Sequence, residues 1–286
     1  MSDLTFHAPN SLEEALTLLD QYGEDARVMS GGTALVVMMK QSLVMAEHLV
    51  SLHSVPGLNY IRQEDDGLHI GALTKHRQVE TSELVLEHAP LLAQVYSRVA
   101  TVRIRNQATV GGGLAHGDPS QDPPPGLLVL DAKVRIVSGN GERTVPISDF
   151  FYDYYETTIQ PGEILKEIIV PEQPKDARAV YLRYAPQTVD DYPTVSVAAL
   201  GLVKDGVCRD VRVALGAASS TAIRATDVEK ALQDHQGTEE AIRQAAEAVA
   251  GQVNPMDDFR GSADYKRDMA VVFTRRALER VLEPKQ

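Results

Sequence analysis

Between Thr109 and Asp131 the chain reads TVGGGLAHGDPSQDPPPGLLVLD. Three consecutive glycines let backbone lie against a ligand or another segment with no Cβ between, whereas four prolines fix φ and remove amide donors. A stretch with both properties reads as a loop held in one unusual shape, and the fold around it must accommodate that loop. A second segment has the same character: SGGTA, Ser30–Ala34, joins a short strand, ARVMS, to the helix-like ALVVMMKQ. Successive N–H groups around such glycines form an anion-binding concavity, and a following helix adds its dipole. Two such segments suit the two phosphates of a pyrophosphate. Neither matches a dinucleotide G-x-G-x-x-G or a P-loop G-x-x-x-x-G-K-[ST].

The elements around them come in mixed order. A capping box at Ser11 and Glu14 opens the helical LEEALTLLDQY, and with ARVMS, ALVVMMKQ and HLVSL this makes an αβαβ unit ending near Pro56. NYIRQEDDGLHIGAL reads as a hairpin at Asp66-Gly67, SELVLEHAPLLAQVYSRVA as a helical stretch, KVRIVSGNGERTVPI as a second hairpin, and KEIIVP as a closing strand near Pro171. After the polar PEQPKDA, three antiparallel strands (RAVYLRYAP, TVSVAALGLV, CRDVRVALGAA) precede helices at Thr226–Gln233, with a Thr226/Glu229 box, Glu239–Ala250 and Ala263–Leu282. The reading is α+β in three units, 1–56, 57–172 and 173–286, without the βα alternation of a doubly wound sheet.

Composition removes several functions. Lys and Arg total 28 against 40 Asp and Glu, a net charge of −12, which disfavours nucleic acid or an anionic membrane as partner. At 43% hydrophobic with no Trp, the cores are aliphatic. The single Cys208 excludes an internal disulfide and an iron–sulfur cluster held by four thiolates of this chain; it reads as a structural thiol. No secretory signal shows in MSDLTFHAPNSLEEAL, and PTVSVAALGLV is too short to span a bilayer, so the expectation is a cytoplasmic protein without a transmembrane segment.

SGGTALVVMMK followed by HLVSL, with IRNQATVGGGLAHGDPSQD further on, resembles the two flavin loops of the FAD-binding subunits of molybdenum hydroxylases, the family of carbon monoxide and xanthine dehydrogenase flavoproteins. The resemblance extends to the C-terminal ADYKRDMAVVFTRRALER. It implies a vanillyl-alcohol-oxidase-type (PCMH-type) FAD-binding fold of two α+β subdomains, then a C-terminal α+β domain with a three-stranded antiparallel sheet and helices. FAD would be bound by this chain. The [2Fe–2S] clusters would sit on a small iron–sulfur subunit and the molybdenum cofactor on a large subunit, in a dimer of heterotrimers.

The resemblance also implies a set of cofactor-binding residues. Arg27, Val28 and Met29 lead into Ser30, Gly31, Gly32, Thr33 and Ala34 at the pyrophosphate, and Thr109, Val110, Gly111, Gly112 and Gly113 form a second lip. The family usually has Asn at 113 and often Ser at 34, so Gly113 and Ala34 leave binding there to backbone donors. Asp122 corresponds to a ribose- or ribityl-binding aspartate, with a turn-capping aspartate as the alternative. Leu165 corresponds to a leucine packed on the isoalloxazine or is a plain core residue. Arg183 stands where the family has a Lys near the ring, or is a solvated strand residue. Tyr192 covers the flavin face or is a loop tyrosine. Ala100 and His116 complete the set. His116 and Asp118 lack a third ligand at suitable spacing, so no metal site is expected. Arg103 and Arg105 offset phosphate charge, face the iron–sulfur subunit, or lie on a solvated edge. No catalytic acid/base or nucleophile constellation appears. The function implied is an electron-transfer subunit taking electrons from [2Fe–2S] clusters and passing them to an external acceptor. The alternatives are a stand-alone flavin-dependent oxidoreductase and a non-redox nucleotide-binding module; the substrate class stays open.

Overall fold

In the computed structural model, residues 4–282 are described; Met1–Asp3 and Glu283–Gln286, at the ends of the first and third expected units, lie outside the described residues. Strands β1 (Thr5–His7), β2 (Ala26–Met29) and β3 (His48–Ser51) form a parallel sheet in the order β1-β3-β2, with helices α1 (Leu12–Tyr22) and α2 (Leu35–Lys40) between them. Ser11 caps α1 by accepting from Glu14 N at 3.1 Å, while the Glu14 carboxylate accepts from Asn10 N at 2.8 Å. Ala15, Leu16 and Leu19, at helical spacing, turn one face of α1 to the core. β1 has no counterpart in the sequence reading, because three residues carry no periodicity. Its place is set by pairing with β3.

The second layer is an antiparallel sheet in the order β4-β5-β10-β6-β7, built from β4 (Ile61–Glu64), β5 (Gly67–Gly71), β6 (Lys133–Ser138), β7 (Gly141–Pro146) and β10 (Ile164–Val170). Between β7 and β10 lies the small hairpin of β8 (Phe151–Asp153) and β9 (Glu156–Thr157). Six short helices separate β5 from β6: α3 (His76–Thr81), α4 (Glu83–His88), α5 (Pro90–Tyr96), α6 (Val102–Gln107), α7 (Val110–His116) and α8 (Pro123–Val129). The stretch Ser82–Ala100, helical in sequence, is split at Ala89, because the residue before a proline is pushed out of the helical region.

The glycine–proline stretch is two short helices, α7 and α8, rather than one loop. Thr109 takes the N-cap position of α7 with its hydroxyl accepting from Gly112 N, so the three glycines occupy the first turn. Pro123–Pro125 occupy the first turn of α8, where missing amides cost nothing.

The third layer contains the three expected antiparallel strands, β11 (Arg178–Tyr184), β12 (Val195–Lys204) and β13 (Val207–Gly216), extended by the two-residue β14 (Ile223–Arg224). Helices α9 (Thr226–Leu232), α10 (Glu239–Glu247) and α11 (Ala263–Leu282) cover one face. The expected Thr226/Glu229 box does not form. Ala225 is the N-cap, and the Glu229 carboxylate instead accepts from Val213 N at 2.8 Å and Arg224 Nε at 2.7 Å. Cys208 is buried in β13.

The other face of this sheet, through Tyr181, Ala198, Leu200 and Ala214, joins the same apolar core as α5, α8 and the second sheet. At its edge Asp131 accepts from Arg212 at 2.6 Å and Arg224 at 2.8 Å. Among the described residues no helix is long and apolar enough to cross a membrane.

Candidate functional site

The two glycine segments meet. Ser30 Oγ and Thr109 Oγ1 lie 2.8 Å apart, and Gln107 Nε2 donates to Gly31 O at 3.0 Å. Space, rather than backbone conformation, requires glycine at three of these positions. A Cβ on Gly31 would stand 2.5 Å from Gln107 O, one on Gly111 would stand 2.5 Å from the Ala72 Cβ, and one on Gly112 would stand 2.5 Å from Ser30 Oγ. Only Gly32, at φ +72°, uses the left-handed freedom of glycine here.

Their amides have different fates. In the second segment Val110 N donates to Thr74 O, Gly111 N to Ala72 O, Gly112 N to Thr109 Oγ1 and Gly113 N to Thr109 O, at 2.9 to 3.2 Å. The donors expected at this second lip are therefore already used within the protein. In the first segment, among the described residues, no protein group accepts from the N–H of Gly31, Gly32, Thr33 or Ala34. Of the two glycine segments, the first is the one whose successive amides, Gly31–Ala34, are left without a protein acceptor, with α7 packed behind it.

These residues open into a cavity of about 730 Å³, within the range of small-molecule and cofactor sites. Arg27 through Ala34, Ala100, Thr109, Gly111, Gly112, Gly113, His116, Asp122, Leu165 and Tyr192 all line it. Two expected residues do not. Val110 is fully buried in the core, as the inward first-turn residue of α7. Arg183 stands behind the wall: its Nε is 3.3 Å from Asp122 Oδ1, Nη1 donates to Arg98 O at 2.6 Å and Val189 O at 3.1 Å, and Nη2 donates to Asp191 O. It is neither solvated nor on the cavity surface.

Asp122 is buried, and Tyr181 Oη donates to its Oδ1 at 2.5 Å. Burial pushes the carboxyl up to about 6, against the opposing pull of Arg183 and the Tyr181 hydroxyl. Asp122 sits at the N-cap position of α8 without making a side-chain cap bond, so it is not the turn-capping aspartate of the alternative reading. His116 Nε2 lies 4.0 Å from Asp118 Oδ2, and burial lowers its affinity for a proton.

The cavity also recruits His76, Tyr155, Glu163, Asp190 and Asp191 from separate elements. No local pattern announces them; Tyr155 alone carries a backbone signal, φ +58°. Arg27 is the one Lys or Arg among the lining residues, against Asp118, Asp122, Glu163, Asp190 and Asp191. Arg103 is exposed, whereas Arg105 is buried and faces inward.

Away from the cavity, Glu64, Asp66 and His69 lie close enough to hold a metal ion. His69 Nε2 is 2.7 Å from Asp66 and Nδ1 is 3.1 Å from Glu167, so the protonated ring donates to both carboxylates and in that form offers no lone pair.

A deep cavity floored by free amides at a glycine turn, between α+β layers, defines a protein that binds an extended phosphate-bearing cofactor. Residues 2–173 match the family described as FAD binding domain in molybdopterin dehydrogenase, and residues 180–281 match the CO dehydrogenase flavoprotein C-terminal domain. The chain belongs to this family of FAD-binding medium subunits of molybdenum hydroxylases, the flavoprotein subunits of oxidoreductases, and has their PCMH-type FAD-binding fold.

It is 35% identical over 273 residues to the carbon monoxide dehydrogenase medium chain of Hydrogenophaga pseudoflava, covering 96% of this chain and 95% of that one. It is 28% identical over 276 residues to the xanthine dehydrogenase FAD-binding subunit of Escherichia coli O157:H7, covering 96% and 94%. Among solved structures, carbon monoxide dehydrogenase from Hydrogenophaga pseudoflava superposes with a TM-score of 0.95 at 35% identity, covering 98% of this chain and 97% of that one. Quinoline 2-oxidoreductase from Pseudomonas putida 86 superposes with a TM-score of 0.93 at 31% identity, covering 98% and 96%.

Proposed function

We propose that the chain is the electron-transfer subunit of a heterotrimeric molybdenum hydroxylase. In this reading it takes electrons from [2Fe–2S] clusters of a small partner subunit and passes them to an external acceptor, while a large partner subunit carries the molybdenum cofactor. The observation that carries this reading is the meeting of Ser30–Ala34 with Thr109–Gly113 over a cavity where, among the described residues, the successive amides of Gly31–Ala34 have no protein acceptor while those of Val110–Gly113 are engaged. FAD, when bound, supplies a two-electron store.

Gly31, Gly32, Thr33 and Ala34 would hold its pyrophosphate through backbone N–H groups. Asp122, oriented by Tyr181 and Arg183, would accept from hydroxyls of the sugar chain. Leu165, buried in β10 at the cavity wall, would pack on the ring system, and the exposed Tyr192 would cover its open side. Arg183 would act on the ring only through Asp122 and the Val189–Asp191 backbone it holds. The three larger sheets, one in each, support the division into units 1–56, 57–172 and 173–286. A cytoplasmic location and a dimer of heterotrimers belong to the same reading.

The test is purification of the chain alone and with its co-expressed partner subunits. The expected result is a yellow flavoprotein that substrate bleaches only in the complex. Bleaching by substrate without partners establishes the stand-alone oxidoreductase instead, and a colourless folded chain that takes up no FAD overturns the flavin assignment.

A further inference from the structure

Two carbonyls of the cavity wall are held from behind by one buried arginine. Val99 and Ala100 line the cavity in the turn between α5 and α6. Ala100 has φ +40°, a conformation that L-residues avoid unless their surroundings impose it. Arg105 supplies those surroundings: its Nη1 donates to Val99 O at 2.9 Å and to Ala100 O at 2.8 Å. Its Nε donates to Glu80 Oε2 at 2.8 Å, and the other Glu80 oxygen takes Arg77 Nη1 at 2.6 Å. Arg105 is 8% exposed, so its charge is directed at this turn rather than at solvent or a partner. The preceding carbonyl, Arg98 O, is taken by Arg183. Two arginines thus fix three successive carbonyls.

We propose that Arg105, oriented by Glu80, is a positioning residue that keeps Ala100 in its left-handed conformation and so holds the Val99–Ala100 wall in the shape that receives FAD. This rests on the flavin reading above. The geometry separates positioning from simple packing. Glycine adopts φ +40° without steric cost, so a glycine at 100 needs the clamp far less than alanine does. If Arg105 acts through Ala100, then Ala100→Gly compensates for its loss; if Arg105 only fills space or balances charge, it cannot.

The experiment titrates FAD into the flavin-free full chain, following flavin fluorescence, for wild type, R105M, A100G and R105M/A100G. R105M is expected to weaken FAD binding about tenfold or more, since two charge-assisted hydrogen bonds to the turn are lost. A100G alone sets the reference affinity for a glycine at this wall, and R105M should cost only a small fraction of its wild-type loss when introduced into that background. R105K, which retains a cation but not the fork, serves if R105M does not fold; its loss should be smaller and again relieved by A100G. Wild-type affinity in R105M and R105K, or a loss that A100G leaves unchanged, overturns the proposal while the flavin assignment stands. A wild-type chain that takes up no FAD overturns both.

Discussion

Ser30 and Thr109, 79 positions apart in the chain, bring their hydroxyl oxygens to 2.8 Å and so fasten the first sheet's glycine turn to the N-terminus of α7. Thr109 does a second job with the same oxygen, accepting from Gly112 N at 3.2 Å. Each role can be tested separately from the size of the side chain.

Thr109→Val keeps the branched shape and removes the oxygen. Loss of the cap should destabilise the flavin-free protein by about 1 kcal/mol, and loss of the Ser30 contact should weaken FAD binding. Thr109→Ser should preserve both. Urea unfolding and FAD titration read the two effects; a Val variant equal to wild type in both would remove Thr109 from the site.

Gly112→Val should abolish stoichiometric FAD while leaving the far-ultraviolet dichroism close to wild type. The cause is crowding at the junction, because the new Cβ would stand 2.5 Å from Ser30 Oγ and 2.8 Å from Thr109 Oγ1. The φ of Gly112 is not positive, so no backbone penalty is involved. A folded variant that retains full FAD refutes the assignment of this junction.

Asp122 should make stability fall as pH rises. Its folded value of about 6 lies above the ordinary 3.8, so the folded state holds the proton more tightly. Stability is then lost between pH 3.8 and about 6 and stays lower above that window. The slope corresponds to about 3 kcal/mol at most. Asp122→Asn should remove this component from urea midpoints measured across the window, and an unchanged pH profile would show that Asp122 is ionised throughout.

His69 should act above that window, also with stability falling as pH rises. Burial alone would lower its proton affinity, but bonds to Asp66 and Glu167 outweigh burial and raise it above 6.5. Its stabilisation is therefore complete below pH 6.5 and is lost as pH climbs through the raised value. His69→Gln should be less stable than wild type below 6.5, with the gap closing at higher pH. A gap that is the same at every pH would mean the ring is neutral.

Hairpins and the long C-terminal helix were legible in the sequence because their signals are local. Asp66-Gly67, Gly139–Gly141 and Asp205-Gly206 put turn residues at or beside the points about which β4–β5, β6–β7 and β12–β13 pair. Ala263–Leu282 is helical over the span read from sequence. Most of the expected residues that line the cavity lie in two short motifs.

Tertiary structure decided what those motifs could not carry. β10 inserts between β5 and β6, nearly 100 positions from β5, and no local periodicity encodes such a pairing. Thr109–Gly113 reads as a phosphate loop, but Thr109 itself takes Gly112 N and Gly113 N, and Thr74 and Ala72, which only packing brings in, take Val110 N and Gly111 N. Arg183 and Arg105 look alike as charged residues of a strand and a helix, yet both turn inward to hold carbonyls of one wall. Sequence determined the turns, the helix faces and the chemistry of the motifs, since those are settled within a few residues. The cavity, its acidic lining and the fate of each donor required the three layers to meet, because a hydrogen bond between distant residues exists only once packing brings its partners together.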